Sequence, residues 1–260
     1  VTDAAGETVE QREDRSGDGK PDFTAFFAQG RIARIEADTG ARGCTDLRQW
    51  LDASGNVTAE EKDTTGDCKR DTWSYFASGG QLERQARDTN ADGLPDTLSL
   101  VDASGAVTVQ ELAPGGAPPP TERLELRADG SVARHCVDGD GDGRLETEVV
   151  FDGEVLALAL VDGDGDGRFD TRERHAKGVR ARVEVDTNGD GRPDVVQHLE
   201  GDAVVRQDED SDFDGGLDRS FVGDAPAPLA AGTKPLEAFP KLACGRFDAF
   251  WREKRWRSKR

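Results

Sequence analysis

Short runs of alternating apolar and polar residues recur along this chain, each about the length of a β-strand and too short for a core helix. One kind is seen in DFTAFFA (22–28), DTWSYFA (71–77), DTLSLVDA (96–103) and DVVQHLE (194–200). A turn signal follows each such run, at Gln29-Gly30, Ser54-Gly55, Gly79-Gly80, Ser104-Gly105, Asp129-Gly130, Asp152-Gly153, Lys177-Gly178 and Glu200-Gly201. A second run then returns, as in RIARIEA (31–37), AVTVQEL (106–112) and VRARVEV (179–185). Two short strands around a glycine turn predict a β-hairpin. The alternation is imperfect: Trp73 and Tyr75 share one face while Phe76 takes the other, and Arg34, Arg84 and Arg182 fall where a core should be. Neither face is apolar throughout, so backbone ladders and neighbour contacts must carry much of the stability.

The segments between hairpins fit the pattern D-x-[DN]-x-D-G-x-x-[DE]. Intact copies begin at Asp88, Asp138, Asp162, Asp186 and Asp210, and the copy at Asp14 differs only by Ser16 in the third place. Worn copies begin at Asp38 (DTGARGCTD) and Asp63 (DTTGDCKRD), and APGGAPPPT from Ala113 fills the one missing step with a loop that has lost its acids. The starts step by 24 or 25 residues, which makes nine repeats of one unit. The predicted fold is all-β: tandem hairpins forming a twisted, solenoid-like antiparallel sheet with the acidic loops on one edge and the tight turns on the other. Successive loops then lie about 10 Å apart. A small four-bladed β-propeller is the alternative; eight units would close it and leave one over. The array covers residues 1–222, a Pro/Ala-rich linker 223–238, and a C-terminal cap with a basic tail 239–260.

Oxygen ligands at loop positions 1, 3 and 5, a carbonyl at 7 and a further carboxylate suit a hard cation of six to eight coordination, and the glycine at 6 permits the sharp turn. Calcium fits better than magnesium, which demands stricter octahedral geometry, or zinc, which prefers His and Cys. The last acid stands at position 9 instead of 12, so the loop is not an EF-hand.

Charge supports this reading. The six better loops hold 21 of the 53 acids, and without them 32 acids face 34 Lys and Arg. The whole negative excess therefore lives in the loops, and six divalent ions would move the net charge from −19 to −7. The metal-free chain is expected to be loosened or unfolded. With only 35% hydrophobic residues and 6% aromatics a thick core is not expected, and no run of about 18 apolar residues exists to span a membrane. VLALALV (155–161) is far too short. Met is absent even at position 1, which points to a processed chain or one trimmed of its leader.

The loop resembles the calcium loops of thrombospondin type 3 repeats and of FG-GAP repeats in integrin-type propellers. That resemblance implies about six calcium ions held from positions 1, 3, 5, 7 (by the backbone carbonyl) and 9. The first set is Asp14, Ser16, Asp18, Lys20 and Asp22, and the second Asp88, Asn90, Asp92, Leu94 and Asp96. The third is Asp138, Asp140, Asp142, Arg144 and Glu146, and the fourth Asp162, Asp164, Asp166, Arg168 and Asp170. The last two are Asp186, Asn188, Asp190, Arg192, Asp194 and Asp210, Asp212, Asp214, Gly216, Asp218. The likeness covers only about a third of each unit, and the hairpin departs from both families: an FG-GAP blade is roughly twice as long, and thrombospondin type 3 repeats have almost no sheet. As a whole the unit is similar to arrays in surface proteins and lipoproteins of Gram-negative bacteria.

Cys44 and Cys68 stand in neighbouring worn loops on the same edge, so a disulfide between them, replacing lost calcium as a staple, is the preferred pairing. The loops must lean together to make it. Cys136 then pairs with Cys244; four cysteines permit three connectivities, and free buried thiols are the alternative. No C-x-x-C occurs, which argues against zinc or redox use. Within the C-terminal part, 239–251 reads as a short helix with Ala243, Phe247, Phe250 and Trp251 on one face, folding back as a cap. The last ten residues carry six basic side chains and two tryptophans, which would bind a protein or surface polyanion, salt-bridge to the acidic body or simply be solvated.

Catalytic patterns are missing: there is no G-x-S-x-G, no H-E-x-x-H and no phosphate loop, and His135, His175 and His198 sit at unrelated repeat positions. The expected function is a calcium-stabilised extracytoplasmic scaffold, secreted, on the outer surface or in the periplasm, serving adhesion or protein interaction, with a lipid anchor upstream of residue 1 compatible with that role. A calcium-responsive regulator or an accessory domain of a surface enzyme is the alternative. No enzyme activity and no nucleic-acid partner are expected from an acidic edge that repels phosphates.

Overall fold

The computed structural model describes residues 1–116, 118–230, 236–241 and 243–253, and they form two compact units. The first comprises Val1–Pro120 with the C-terminal residues from Asp248; the second is Thr121–Phe247. The boundary follows the acid-free loop from Ala113.

The first unit contains β1 (Glu10–Glu13), β2 (Phe23–Ala28), β3 (Arg31–Ala37), β4 (Leu47–Leu51), β5 (Val57–Lys62), β6 (Thr72–Phe76), β7 (Leu82–Arg87), β8 (Thr97–Val101) and β9 (Val107–Leu112). The second contains β10 (Glu122–Leu126), β11 (Val132–Val137), β12 (Thr147–Asp152), β13 (Val155–Val161), β14 (Thr171–Ala176), β15 (Val179–Val185), β16 (Val195–Glu200), β17 (Ala203–Glu209), β18 (Arg219–Val222) and β19 (Ala225–Pro226). Within each unit every strand pairs antiparallel with the next in sequence. Among the described residues no pairing joins the first strand of a unit to its last, so each is an open meander and not the closed ring of a propeller. The first part of the expected linker, Ala225–Pro226, pairs with Phe221 and Val222, and its prolines leave few N–H groups on that edge.

All eight glycine turns read from the sequence occur, each with a glycine in the left-handed region. At Lys177-Gly178 both residues are left-handed, at φ 55° and 81°, the twist-matched two-residue hairpin turn.

Burial follows one cross-strand row per unit. In the first, the register places Thr24, Glu36, Arg48, Glu61, Trp73, Ala86, Leu98 and Glu111 side by side across β2 to β9. The matching row of the second unit runs Arg123, Cys136, Glu148, Leu160, Arg172, Glu184, Val196, Asp208 and Ser220. Apolar and charged members share this one stripe, buried or half-buried, so neither face of the sheet is apolar throughout. The charges are paired: Glu184 is bonded to Arg172 and lies 2.8 Å from Arg182, and Arg48 reaches Glu36 at 2.7 Å. Burial opposes ionisation of Glu184, but these arginines outweigh it and hold its carboxyl below the usual range.

The C-terminal segment is largely not the helix expected over 239–251. Only Ala249–Glu253 is helical (α1). Asp248 caps it by accepting the Phe250 N–H at 2.8 Å, while upstream Gly245 is left-handed at φ 69° and Cys244 is tied to a strand. The expected apolar face is accordingly split. In the first unit Phe250 and Trp251 are buried, Phe250 edge-on to Tyr75 with centroids 5.9 Å apart. In the second unit Phe247 packs on Cys136, Leu145 and Cys244. Backbone and indole groups seek out the row's carboxylates: Glu148 accepts the Ala243 N–H at 3.0 Å, and Glu111 accepts the Asp248 N–H at 3.0 Å and the Trp251 indole N–H at 2.8 Å. The basic residues after Glu253 lie outside the described residues.

Candidate metal centre

In the acidic loops from Asp14, Asp88, Asp162, Asp186 and Asp210 the ladder itself closes the base. The N–H of the position-9 residue donates across the loop to the residue before position 1, as from Asp170 to Val161 at 3.0 Å and from Asp194 to Val185 at 2.8 Å. The N–H of position 1 donates to the position-9 carbonyl of the preceding loop: Asp162 to Glu146, Asp186 to Asp170 and Asp210 to Asp194, all at 2.8 Å. Position 8 anchors the loop from below. Pro95, Leu145, Phe169 and Pro193 are buried there, an apolar preference the sequence motif had left open.

Within the loop the carboxylates fold the backbone around themselves. In the loop from Asp138, that residue accepts N–H bonds from Gly141 at 2.6 Å and Gly143 at 2.8 Å, Asp140 accepts from Asp142, Asp142 from Arg144, and Glu146 from Gly139. Position 4 is left-handed as well as position 6: Gly141 stands at φ 80° and Gly143 at 89°, and even Ala91 and Phe213 adopt 62° and 61° at position 4. Only the glycine at 6 was foreseen; the run of glycines at 4 was the available signal.

These turns bring acids together. Asp138, Asp140, Asp142 and Glu146 each offer an oxygen within 4.8 Å of the others; so do Asp162, Asp164 and Asp170, and so do Asp210, Asp212 and Asp214. Asp166 and Asp218 stand outside their groups, Asp166 accepting the Arg168 N–H and Asp218 the Ser211 hydroxyl and N–H. The hydroxyl of Ser211 draws the Asp218 carboxyl below its ordinary value, whereas partial desolvation and the charge of Asp214 raise that of Asp212. In the loops from Asp14, Asp88 and Asp186, position 3 is Ser16, Asn90 or Asn188, and the acids at 1, 5 and 9 accept backbone N–H bonds in the same way, except that Asp88 takes the N–H of position 5 instead of position 4. A carboxylate oxygen that accepts one N–H keeps a second lone pair, so these bonds shape the loop without exhausting it.

A further observation fits a cation. Asp96, 5% exposed, uses Oδ2 for Thr89 and Asn90, while its Oδ1 is buried with no hydrogen-bond partner. An orphaned buried carboxylate oxygen costs desolvation free energy unless a positive partner meets it. An all-oxygen donor set on a flexible loop is the chemistry of calcium sites.

The worn loops satisfy the same geometry differently. Asp46 takes Thr39, Gly40 and the guanidinium of Arg42, and Asp71 takes Thr64, Thr65 and Thr72, so both oxygens of each have donors. Cys44 and Cys68 are joined with Cα atoms 5.8 Å apart, and Cys136 and Cys244 with Cα atoms 6.3 Å apart, the pairing preferred from the sequence. Among the described residues no helix is long and apolar enough to cross a membrane. Two disulfides indicate folding in an oxidising, extracytoplasmic compartment.

No protein-family model and no curated protein matches the chain. Among solved structures it is similar to a mutant S. aureus TarM in complex with fondaparinux, alpha-GlcNAc-glycerol and UDP, at 12% identity and a TM-score of 0.34 over 45% of this chain and 21% of that one. It thus spans about a fifth of the TarM chain. A porin-like protein from Bacteroides uniformis is similar over 84% of this chain and 92% of that one, at 10% identity and a TM-score of 0.23. Likenesses this distant carry no functional argument.

Proposed function

We propose that the protein is a calcium-stabilised extracytoplasmic repeat scaffold whose ions sit in the six acidic loops and whose sheet serves as a surface for adhesion or protein interaction. The observation that carries this reading is the convergence of four carboxylates in the loop from Asp138, held on a backbone already turned around them. The orphaned Oδ1 of Asp96 supports it from a second loop. Calcium would supply the countercharge that lets these acids crowd; the protein supplies the closed loop base, the left-handed turns and the buried residue at position 8. Secretion or display on a cell surface accords with the disulfides.

Calorimetric titration of the EDTA-stripped protein with calcium, followed by circular dichroism, tests the reading. About six ions per chain and a cooperative gain of β signal are expected. No heat and an unchanged spectrum would refute it. Affinity in the millimolar range fits a scaffold, and a reversible micromolar transition fits a regulator.

A further inference from the structure

In the loop from Asp38 the residue at position 5, aspartate in the six acidic loops, is Arg42. Its side chain is 39% exposed, but the guanidinium reaches two buried carboxylates. Nη2 lies 3.1 Å from Asp46, the position-9 acid of its own loop, and 3.7 Å from Asp63, the position-1 acid of the next. Both carboxylates are almost wholly buried, with side chains 2% and 1% exposed. The guanidinium passes over two glycines. A Cβ at Gly40 would meet Nη1 at 2.8 Å, and one at Gly66 would meet it at 3.2 Å. Gly40 occupies position 3, where the acidic loops carry Asp, Asn or Ser, so the bare backbone there makes the room that the arginine fills.

We infer that Arg42 is a built-in cation: its guanidinium occupies a latent divalent-cation site of this loop, between Asp46 and Asp63, and keeps that site closed to metal. The inference builds on the calcium reading of the other loops but makes its own demand. The loop retains the architecture of an acidic one, since Asp38 accepts the N–H groups of Arg42 at 2.9 Å and Gly43 at 2.6 Å as Asp88 accepts those of Asp92 and Gly93. Burial opposes ionisation of Asp63, yet the N–H groups of Gly66 and Cys68, the Thr65 hydroxyl and the Arg42 charge together hold its carboxyl below the usual range. The ion pairs to Asp46 and Asp63 make a positive group at this spot part of the folded state. The disulfide between Cys44 and Cys68 fastens the two loops on either side of it.

The test is a difference in bound calcium between Arg42→Asp and the parent, counted by elemental analysis after equilibrium dialysis, with the disulfide intact. One additional ion per chain is the expected result; an equal count in a variant of unchanged circular dichroism overturns the inference. A parent that binds no calcium sinks the proposed function alone, because the latent site is still scored by whether the variant takes up one ion. Should Arg42→Asp not fold, Arg42→Gly is melted with and without millimolar methylguanidinium. Recovery of the lost melting temperature by methylguanidinium, and not by tetramethylammonium, is expected; no selective recovery overturns the inference.

Discussion

The loop pair from Asp38 and Asp63 and the loops from Asp138 and Asp162 follow one backbone course and settle its electrostatics in opposite ways. In the first pair Arg42 and four threonine hydroxyls occupy the carboxylates, and a disulfide ties the two loops together. In the second, eight acids, seven of them in groups of four and three, accept backbone N–H bonds, Asp170 takes the Thr171 hydroxyl as well, and among the described residues no cationic side chain hydrogen-bonds to them. The loop fold thus comes from carboxylates accepting N–H bonds, and what varies is the source of positive charge. One source is covalent and permanent; on the proposed calcium reading the other is taken from solution.

Metal removal should separate the two regions most. With EDTA, hydrogen exchange at Gly141, Gly143, Gly165 and Gly167 is expected to accelerate more than about tenfold, while Gly66 and Cys68 stay within about twofold. Uniform acceleration at both would erase the contrast. Next in size is the second staple. Cys244→Ser opens a disulfide between residues 108 apart, and the chain-entropy account puts the loss at about 5 kcal/mol, read by denaturant unfolding. Asp138→Ala should cost about 2 to 4 kcal/mol by orphaning the N–H groups of Gly141 and Gly143, and should remove one bound ion. The smallest effect is on acidification. The Arg42 N–H lowers the Asp38 carboxyl, and Asp63 is lowered as well. The folded state therefore binds fewer protons there than the unfolded chain. The stability these groups contribute is full above the unfolded value of about 3.9 and is lost as pH falls through the folded ones, so protection of Gly43 and Gly66 should persist at pH 5 and decline below about pH 4.

Much of this was legible locally. The glycine turns, the strand partners and the acidic spacing are all short-range signals, and Cys44 and Cys68 declared their pairing through equivalent places in adjacent repeats. Arg42 was legible too, as a sign inversion at a ligand position, but a motif search scores it only as wear. The C-terminal segment was harder. Its periodicity suits a helix, yet Ala243 and Asp248 answer to Glu148 and Glu111 on strands more than 90 residues earlier, and no local pattern encodes such partners. The buried carboxylates of the row were illegible for the same reason: Glu111 looks like a solvent-facing strand residue until the indole of Trp251 arrives over it.

The bond from each position-1 amide to the carbonyl that ended the loop before it has a genetic corollary. Every module brings one donor for its predecessor and one acceptor for its successor, so copying or deleting a whole module leaves no dangling group at the seam. A change that removes part of a loop would strand one, whereas the one-residue difference between modules of 24 and 25 residues leaves the bond in place. Lineages carrying this chain should differ in the number of its modules far more readily than in their period.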